Sequence, residues 1–157
     1  MAETALEKAM RILGRRARTA AELERALERG GVAAEERESA LARLKELGYI
    51  NDAETARFRA RARVGLGDAP RLAAKKLAAQ GIEEAEARGA AAEASDGASE
   101  EELAARALRR KLRGREPADA REKQRLLRGL IAKGHRPAAA AKVLGIEWEG
   151  DDEIDDG

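Results

Sequence analysis

The chain has 157 residues, no cysteine and a single histidine, so disulfides, thiolate metal sites and a histidine-based zinc site within one chain are excluded. Charged residues make up 39% of the sequence and aromatic residues only 2%, and the net charge at pH 7 is +1. Strong helix formers dominate, which predicts an all-α fold. The sequence lacks an apolar stretch of about 20 residues that could span a membrane and a signal pattern, so we expect a soluble cytoplasmic protein.

The first third of the chain predicts three helices. Helix one is expected from Thr4 to about Leu13. Helix two opens at Thr19, because Glu22 three residues later completes a capping box in which each side chain satisfies a free backbone donor. Helix three is expected over residues 34–47, with a leucine stripe that ends at Gly48.

A tight junction, residues 48–52, separates these helices from the rest of the chain. We expect Gly48 to end helix three, Asn51 or Asp52 to cap helix four, and Tyr49 to pack at the hinge. A polar site formed by Tyr49, Asn51 and Asp52 is the alternative interpretation. The preference of Asn and Asp for helix N-caps favours the structural role.

Six further helices follow the junction. Helix four carries an alanine stripe flanked by arginines, and Asp68 is predicted to cap helix five. Helix six is expected over residues 83–94. Ser99 and Asp119 are predicted to open helices seven and eight, and helix nine should follow Pro137 and end at Leu144-Gly145.

A leucine followed four residues later by glycine recurs at Gly31, Gly81 and Gly134, with spacings of 50 and 53 residues. A period of this length predicts an elongated array of tandem three-helix repeats, in which each unit stacks on its neighbours because it cannot bury its own apolar face. The repeats are expected over residues 1–50, 51–96 and 97–145. Residues 146–157 have the composition of a disordered acidic tail.

Charge is strongly segregated along the chain. Residues 57–82 carry 7 basic and 1 acidic side chains, and residues 103–146 carry 13 and 3. The intervening residues 83–102 carry 1 and 8, and residues 147–157 carry 0 and 7. This segregation indicates interaction surfaces for an acidic protein groove or for phosphates. The candidate partner-binding residues, expected to line one long face, are Arg57, Arg61, Arg71, Lys75, Lys76, Arg109, Arg110, Arg113, Arg121, Lys123, Arg125 and Arg128.

Three features near the C-terminus have two interpretations each. His135 follows a helix-ending glycine, and we expect it to be a C-terminal cap partner rather than a catalyst. Trp148 either pins the tail to the last repeat or anchors a partner. The acidic tail either folds back onto the basic face and competes with the partner, or contributes only solubility.

The junction at residues 48–52, the spacing Leu72-x4-Leu77-x3-Gly81-Ile82 and the later motifs Lys111-Leu112-Arg113-Gly114 and Arg121-Glu122-Lys123 resemble the bacterial RecX family of regulatory proteins. The resemblance covers about residues 4–145. The sequence departs from the family pattern at Thr55, a position where family members often have an aromatic residue.

The resemblance implies a tandem array of three-helix repeats that binds RecA. Family members lodge in the helical groove of the RecA–DNA filament and usually inhibit strand exchange, ATP hydrolysis and co-protease activity. It also implies a protein without catalytic residues, cofactor or metal. We expect a monomer whose partner is the RecA–DNA filament, and weak direct contact with DNA is left open.

Two other functions compete with this interpretation. Residues 19–50 alone resemble a helix-turn-helix, as in a DNA-binding transcriptional regulator with a winged-helix domain. Such a domain needs two β-strands after Ile50, where this sequence predicts a helix, and the first 56 residues are nearly neutral whereas a DNA reader is normally basic. A general helical adaptor is the third reading. An enzyme is disfavoured, because the sequence has no phosphate-binding glycine-lysine loop and no Ser/His/acid set.

Overall fold

The computed structural model describes residues 2–154, and every regular element in that part of the chain is an α-helix. The all-α prediction is therefore confirmed, and no strand follows the third helix there, as a winged-helix domain would require. The helices are α1 (Ala5–Leu13), α2 (Ala20–Arg29), α3 (Ala34–Glu46), α4 (Asp52–Gly65), α5 (Pro70–Ala79), α6 (Glu84–Ser95), α7 (Glu100–Leu112), α8 (Ala120–Ala132) and α9 (Pro137–Leu144). We call α1–α3 repeat 1, α4–α6 repeat 2 and α7–α9 repeat 3.

Local side chains determine where several helices begin. Thr4, Thr19 and Ser99 each form a complete capping box with the glutamate three residues later. Asn51 Oδ1 accepts from the Glu54 backbone N–H at 3.1 Å, so Asn51, and not Asp52, is the N-cap of α4. Such caps typically contribute about 1 kcal/mol each, which explains why the sequence located these helix starts.

Each repeat has an apolar core of its own. Leucines dominate the cores of repeats 1 and 3, whereas repeat 2 is packed largely by alanines around Leu77 and Ile82. The core of repeat 1 consists of Ala9, Leu23, Leu27, Leu41, Leu44 and Ile50. Within the array, the apolar core of each repeat is therefore built mainly from its own three helices.

The repeats meet through polar contacts that recur from one joint to the next. The carbonyl of Gln80, at the end of α5, accepts a hydrogen bond from Thr19 Oγ1 at 2.7 Å. The carbonyl of Lys133, at the end of α8, accepts one from the backbone N–H of Ala69 at 2.8 Å. Thr19 and Ala69 are the N-cap residues of α2 and α5. The second helix of a repeat therefore ends against the start of the second helix in the preceding repeat.

The repeated glycine explains this close approach. A Cβ atom at Gly81 would lie 2.3 Å from the Ala21 Cβ in α2, and one at Gly134 would lie 2.9 Å from the Leu72 Cβ in α5. At Gly31, which belongs to repeat 1, a Cβ would meet nothing within 4 Å. The glycines that the sequence marked as helix ends are thus also packing positions between repeats.

The junction after α3 differs from the prediction in which residue it buries. Tyr49 is 56% exposed, whereas Ile50 is buried in the core of repeat 1. The backbone N–H groups of Tyr49 and Ile50 both point back to the Leu44 carbonyl, at 2.9 and 3.4 Å. This tight reversal at Gly48 turns the isoleucine inward and leaves the tyrosine in solvent, so the expected packing of Tyr49 was wrong.

Asp68 does not cap α5 as predicted. The N-cap is Ala69, which provides no side-chain cap, and the Asp68 carboxylate is only 4% exposed. It accepts from Arg63 Nε at 2.8 Å and from Lys76 Nζ at 2.9 Å. Burying a carboxylate destabilises the folded state unless the charge is paired. Arg63 and Lys76 are therefore needed to stabilise the buried charge of Asp68.

Candidate partner-binding surface

Arg57 and Lys76, two of the candidate cations, form ion pairs inside repeat 2, and Arg71 and Lys75 also have interaction partners. Lys76 binds the buried carboxylate of Asp68, and Arg57 Nε lies 3.5 Å from Glu93 Oε2. The Arg57 pair is exposed and is worth little to stability. The Lys76 pair stabilises a buried charge, so Lys76 is the candidate least able to serve a partner.

The candidates of repeat 3 have a different environment. Within residues 2–154 none of them has a carboxylate at ion-pair distance, and all except the half-buried Lys123 are exposed. This set consists of Arg109, Arg110, Arg113, Arg121, Lys123, Arg125 and Arg128.

Helical spacing brings these arginines together in stripes. On α8, Arg121, Arg125 and Arg128 follow one another at i, i+4 and i+7, opposite a face that buries Leu126 and Leu130. Arg109 lies in the last turn of α7, and Arg113, four residues later, is the C-cap of that helix and has a left-handed backbone with a φ of 51°. Like charges at i, i+4 destabilise a helix by about 0.2–0.5 kcal/mol per pair. The α8 stripe is therefore unfavourable for folding alone, which favours a role in binding, whereas Arg109 lies in the last turn of α7, where the helix dipole favours a cation.

Other candidates line two clefts between repeats 2 and 3. Arg71 and Lys75 border a cleft of about 1240 Å³, and Arg61 and Arg110 border a second one of about 290 Å³. Leu103 of α7 lines both. The structure thus brings the candidates together in several groups, and those on α8 line neither of these two clefts.

Sequence reasoning missed several exposed or cleft-lining residues. Arg106 lines the smaller cleft, and Arg88 and Arg136 line the larger one. Phe58 on α4 is 67% exposed, and it lies beside the arginines of that helix. Its position, about 200° around the helix from the buried Ala56, could have revealed that it points away from the core.

The junction residues have structural roles. Gly48 makes the turn and Asn51 caps α4. Asp52 Oδ1 accepts a hydrogen bond from the Ala20 backbone N–H at 2.9 Å, so it satisfies a free donor at the start of α2 in repeat 1. This contact across 32 residues joins the two repeats, and no local pattern could have identified it.

His135 joins repeats 2 and 3 rather than capping α8 with its side chain. The ring is buried, and Nε2 lies 2.8 Å from the Gly67 carbonyl oxygen. Because that oxygen can only accept, Nε2 carries the proton in this contact. Burial lowers the pKa of His135 below its ordinary value, which keeps the ring neutral at the joint.

Glu122 fixes the loop that leads into α8. Its carboxylate accepts from the Arg115 guanidinium and, at 2.7 Å, from the backbone N–H of Ala118. These hydrogen bonds lower the pKa of Glu122 to about 2, the Arg115 contact having the largest effect. Asp119 Oδ1 caps the helix by accepting from the Glu122 N–H at 2.8 Å. Arg115 is therefore used within the fold, unlike the arginines of the α8 stripe.

The described part of the acidic tail lies against repeat 3. Ile146 packs on the core of that repeat, and Asp152 Oδ1 accepts from the backbone N–H of Ala138 at 2.8 Å. Trp148 is 37% exposed. The flexibility of the tail stays a prediction, as does the role of Trp148, and residues 155–157 lie outside the described part of the chain.

Residues 2–154 contain no group of three or more His, Cys, Asp or Glu side chains placed to hold a metal ion. None of the helices described in this range combines the length and the apolar character needed to cross a membrane.

Comparison with known proteins shows which proteins this chain is similar to. The family model for the RecX first three-helix domain matches residues 5–44, which are α1, α2 and most of α3. The crystal structure of RecX from Lactobacillus salivarius superposes with a TM-score of 0.68 over 90% of this chain and 92% of that one, at 19% identity. The first three helices therefore match the RecX family, and the whole chain has the fold of a solved RecX structure.

A second RecX-family structure supports the same fold. The crystal structure of a regulatory protein RecX has a TM-score of 0.67 over 88% of this chain and 70% of that one, at 22% identity. No curated protein matches the sequence. At these sequence identities, the two superpositions show a shared fold. The family model covers only repeat 1, whereas the superpositions show the RecX arrangement of helices over most of the array.

Proposed function

We propose that this protein is a RecX-type regulator that modulates RecA, most simply as an inhibitor, by binding in the groove of the RecA–DNA filament. The observation that carries the proposal is the set of arginines on α7 and α8 that are exposed, have no carboxylate partner within residues 2–154 and repel one another. Three repeats joined end to end spread such cations over more of a groove than one three-helix unit could.

The expected binding is the sum of many weak contacts. An exposed ion pair contributes about 0.2–1 kcal/mol, so the seven cations of repeat 3 have to act together. Charge pairs of this kind are screened by salt, with a Debye length of about 10 Å at 0.1 M. Affinity for the filament should therefore fall steeply between low and high salt.

The direct test is RecA ATP hydrolysis on single-stranded DNA with increasing amounts of this protein. Inhibition of hydrolysis, strand exchange and co-protease activity is expected. Co-sedimentation with RecA filaments, compared with naked double-stranded DNA, separates this function from the alternative of a DNA-binding regulator. Binding only to naked DNA would favour the regulator, and binding to neither would favour a helical adaptor without a role in recombination.

A charge-matched pair of variants links the effect to the proposed surface. Replacing Arg109, Arg110 and Arg113 by glutamine should raise the concentration needed for half-maximal inhibition. Replacing three exposed arginines outside the basic blocks, Arg15, Arg16 and Arg25, removes the same charge and should have little effect. Equal loss in both triple variants would mean that net charge, and not this surface, controls binding.

A further inference from the structure

The cleft between repeats 2 and 3 combines positive charge with apolar walls. One side is formed by α5 and α6, and the other by the start of α7 and the turn between α8 and α9. Leu72 and Ile131 contribute apolar surface, and Glu84 and Glu100 are the carboxylates of the helices in this lining. The cations that line it are Arg71, Lys75, Arg88 and Arg136, of which Arg88 pairs with Glu84 at 3.9 Å and Arg136 with Glu100 at 2.8 Å.

The acidic tail is anchored at one edge of this cleft. The helix α9 has Arg136 as its N-cap, which provides no side-chain cap, and Pro137, which has no N–H, as its first residue. The next residue, Ala138, donates its backbone N–H to Asp152 Oδ1 at 2.8 Å. Arg136 Nη1 also donates to the Asp152 carbonyl oxygen at 3.4 Å. The tail thus supplies the cap that the local sequence of α9 lacks.

Beyond this anchor the chain enters the cleft. Glu153 and Ile154 are part of the lining, together with Arg71 and Lys75 of α5 and Ile131 of α8. Glu153 brings a carboxylate to the cations of this cleft, and Ile154 brings an aliphatic side chain to its apolar walls. The tail therefore matches the cleft in both of its chemical properties.

We propose that the tail is an intramolecular occupant of this cleft, and that the cleft is a docking site for an acidic, extended segment of a protein partner. A peptide carries both carboxylates and aliphatic side chains, whereas a nucleic acid backbone provides the charge without the aliphatic groups. The tail has to leave before the partner segment binds, so it restrains binding. The partner is RecA under the function proposed above, and this role of the tail rests on that function.

The test uses a fluorescein-labelled peptide with the sequence of residues 150–157 and the full-length protein. Asp152→Ala removes the anchor, and the loss of one N-cap bond should open the cleft and tighten peptide binding about fivefold in fluorescence anisotropy. Glu149→Ala is the matched control, because it removes a tail carboxylate that has no described contact, and it should bind like the wild type. Trp148, the only tryptophan, should shift its emission to the red in the Asp152 variant alone.

Substitutions in the cleft complete the test. Lys75→Ala should weaken peptide binding at least threefold, whereas Arg25→Ala, which removes an exposed cation on α2 outside this lining, should not. Equal peptide affinity for wild type and Asp152→Ala, with unchanged Trp148 emission, overturns the proposal. Tighter binding of a single-stranded oligonucleotide instead of the peptide would overturn the choice of partner. Circular dichroism confirms that each variant is folded.

This experiment contains no RecA, so its outcome is independent of the proposed function. If the wild-type protein leaves RecA ATP hydrolysis unchanged, the proposed function fails while the peptide titration still reports on the cleft. If both hold, Asp152→Ala should inhibit RecA at lower concentration than the wild type, because its cleft is open.

Discussion

Alanine substitution of the repeated glycines should separate backbone strain from packing between repeats. Gly31, Gly81 and Gly134 all have positive φ, at 79°, 94° and 90°. An L-residue in this conformation costs about 1–2 kcal/mol, so the three alanine variants share that loss. They differ in what the new methyl group meets, and that difference can be worked out from the structure.

At Gly31 the methyl group meets nothing within 4 Å, so Gly31→Ala should cost only the strain, about 1 kcal/mol. At Gly134 it would approach the Leu72 Cβ to 2.9 Å, and at Gly81 the Ala21 Cβ to 2.3 Å. Overpacking typically adds about 1–3 kcal/mol. We therefore expect losses of about 2 kcal/mol for Gly134→Ala and about 3–4 kcal/mol for Gly81→Ala.

The assay is equilibrium unfolding in urea, followed by far-ultraviolet circular dichroism for the whole chain and by Trp148 fluorescence for its C-terminal end. Because each repeat has its own core, Gly81→Ala should shift the circular dichroism transition more than the Trp148 transition. Ala21→Gly in the Gly81→Ala background removes the obstructing Cβ and should recover part of the loss, giving a coupling energy in a double-mutant cycle. Equal losses in all three single variants would refute packing at the joints, since only strain would then remain.

Two pH-dependent predictions and one on an inter-repeat contact follow from the same structure. Burial lowers the pKa of His135, so the unfolded state takes up a proton before the folded state does as the pH falls. The free energy of unfolding of the wild type should therefore decline below about pH 6.5. His135→Gln should lack this pH dependence when unfolding in urea is measured at several pH values. Glu122 has a pKa lowered to about 2 from its ordinary 4.5. Its contribution to the free energy of unfolding should therefore be complete above pH 4.5 and lost as the pH falls toward 2. In Glu122→Gln the urea midpoint should depend less on pH over that range. Asp52→Ala leaves the Ala20 N–H without its acceptor and should cost about 1 kcal/mol in thermal unfolding, whereas Asp52→Asn, which keeps an acceptor oxygen, should cost less.

The sequence predicted most of the helix boundaries because those depend on neighbouring residues. Thr19 and Ser99 find their capping partners three residues away, and glycine ends helices through its own backbone freedom. The roles of Asp68 and His135 could not be predicted, since each depends on groups brought close only by the fold. His135 and Gly67 lie 68 residues apart in the chain. Tyr49 was misplaced because the tight turn buries its neighbour, which a hydrophobicity pattern does not distinguish.

The candidate surface was predicted in composition but not in arrangement. Counting charges identified the basic residues, because charge is a property of the sequence. Which of them are available depends on tertiary contacts. Lys76 is committed to a buried carboxylate, whereas Arg121 has no carboxylate partner in the described chain. The division between occupied and available cations therefore required the structure.

Arg121 offers the sharpest test of whether the α8 stripe is kept for binding. It is the second residue of α8, where the helix dipole disfavours a cation by about 0.3–1 kcal/mol. Arg125 lies four residues further on, and such a like-charged pair costs about 0.2–0.5 kcal/mol. Because glutamine and arginine have similar helix propensities, Arg121→Gln should stabilise the protein by about 0.5–1 kcal/mol in urea unfolding.

The same substitution should weaken binding to RecA filaments, measured by co-sedimentation at low salt. Arg25→Gln is the matched control, since Arg25 is an exposed arginine in the middle of α2 with no described ion pair; it should change neither stability nor binding appreciably. A variant that gains stability and loses binding shows that the stripe is retained at the expense of stability, as functional sites often are. If Arg121→Gln destabilises the protein instead, the arginine has a structural role in α8, and the stripe no longer supports a binding surface.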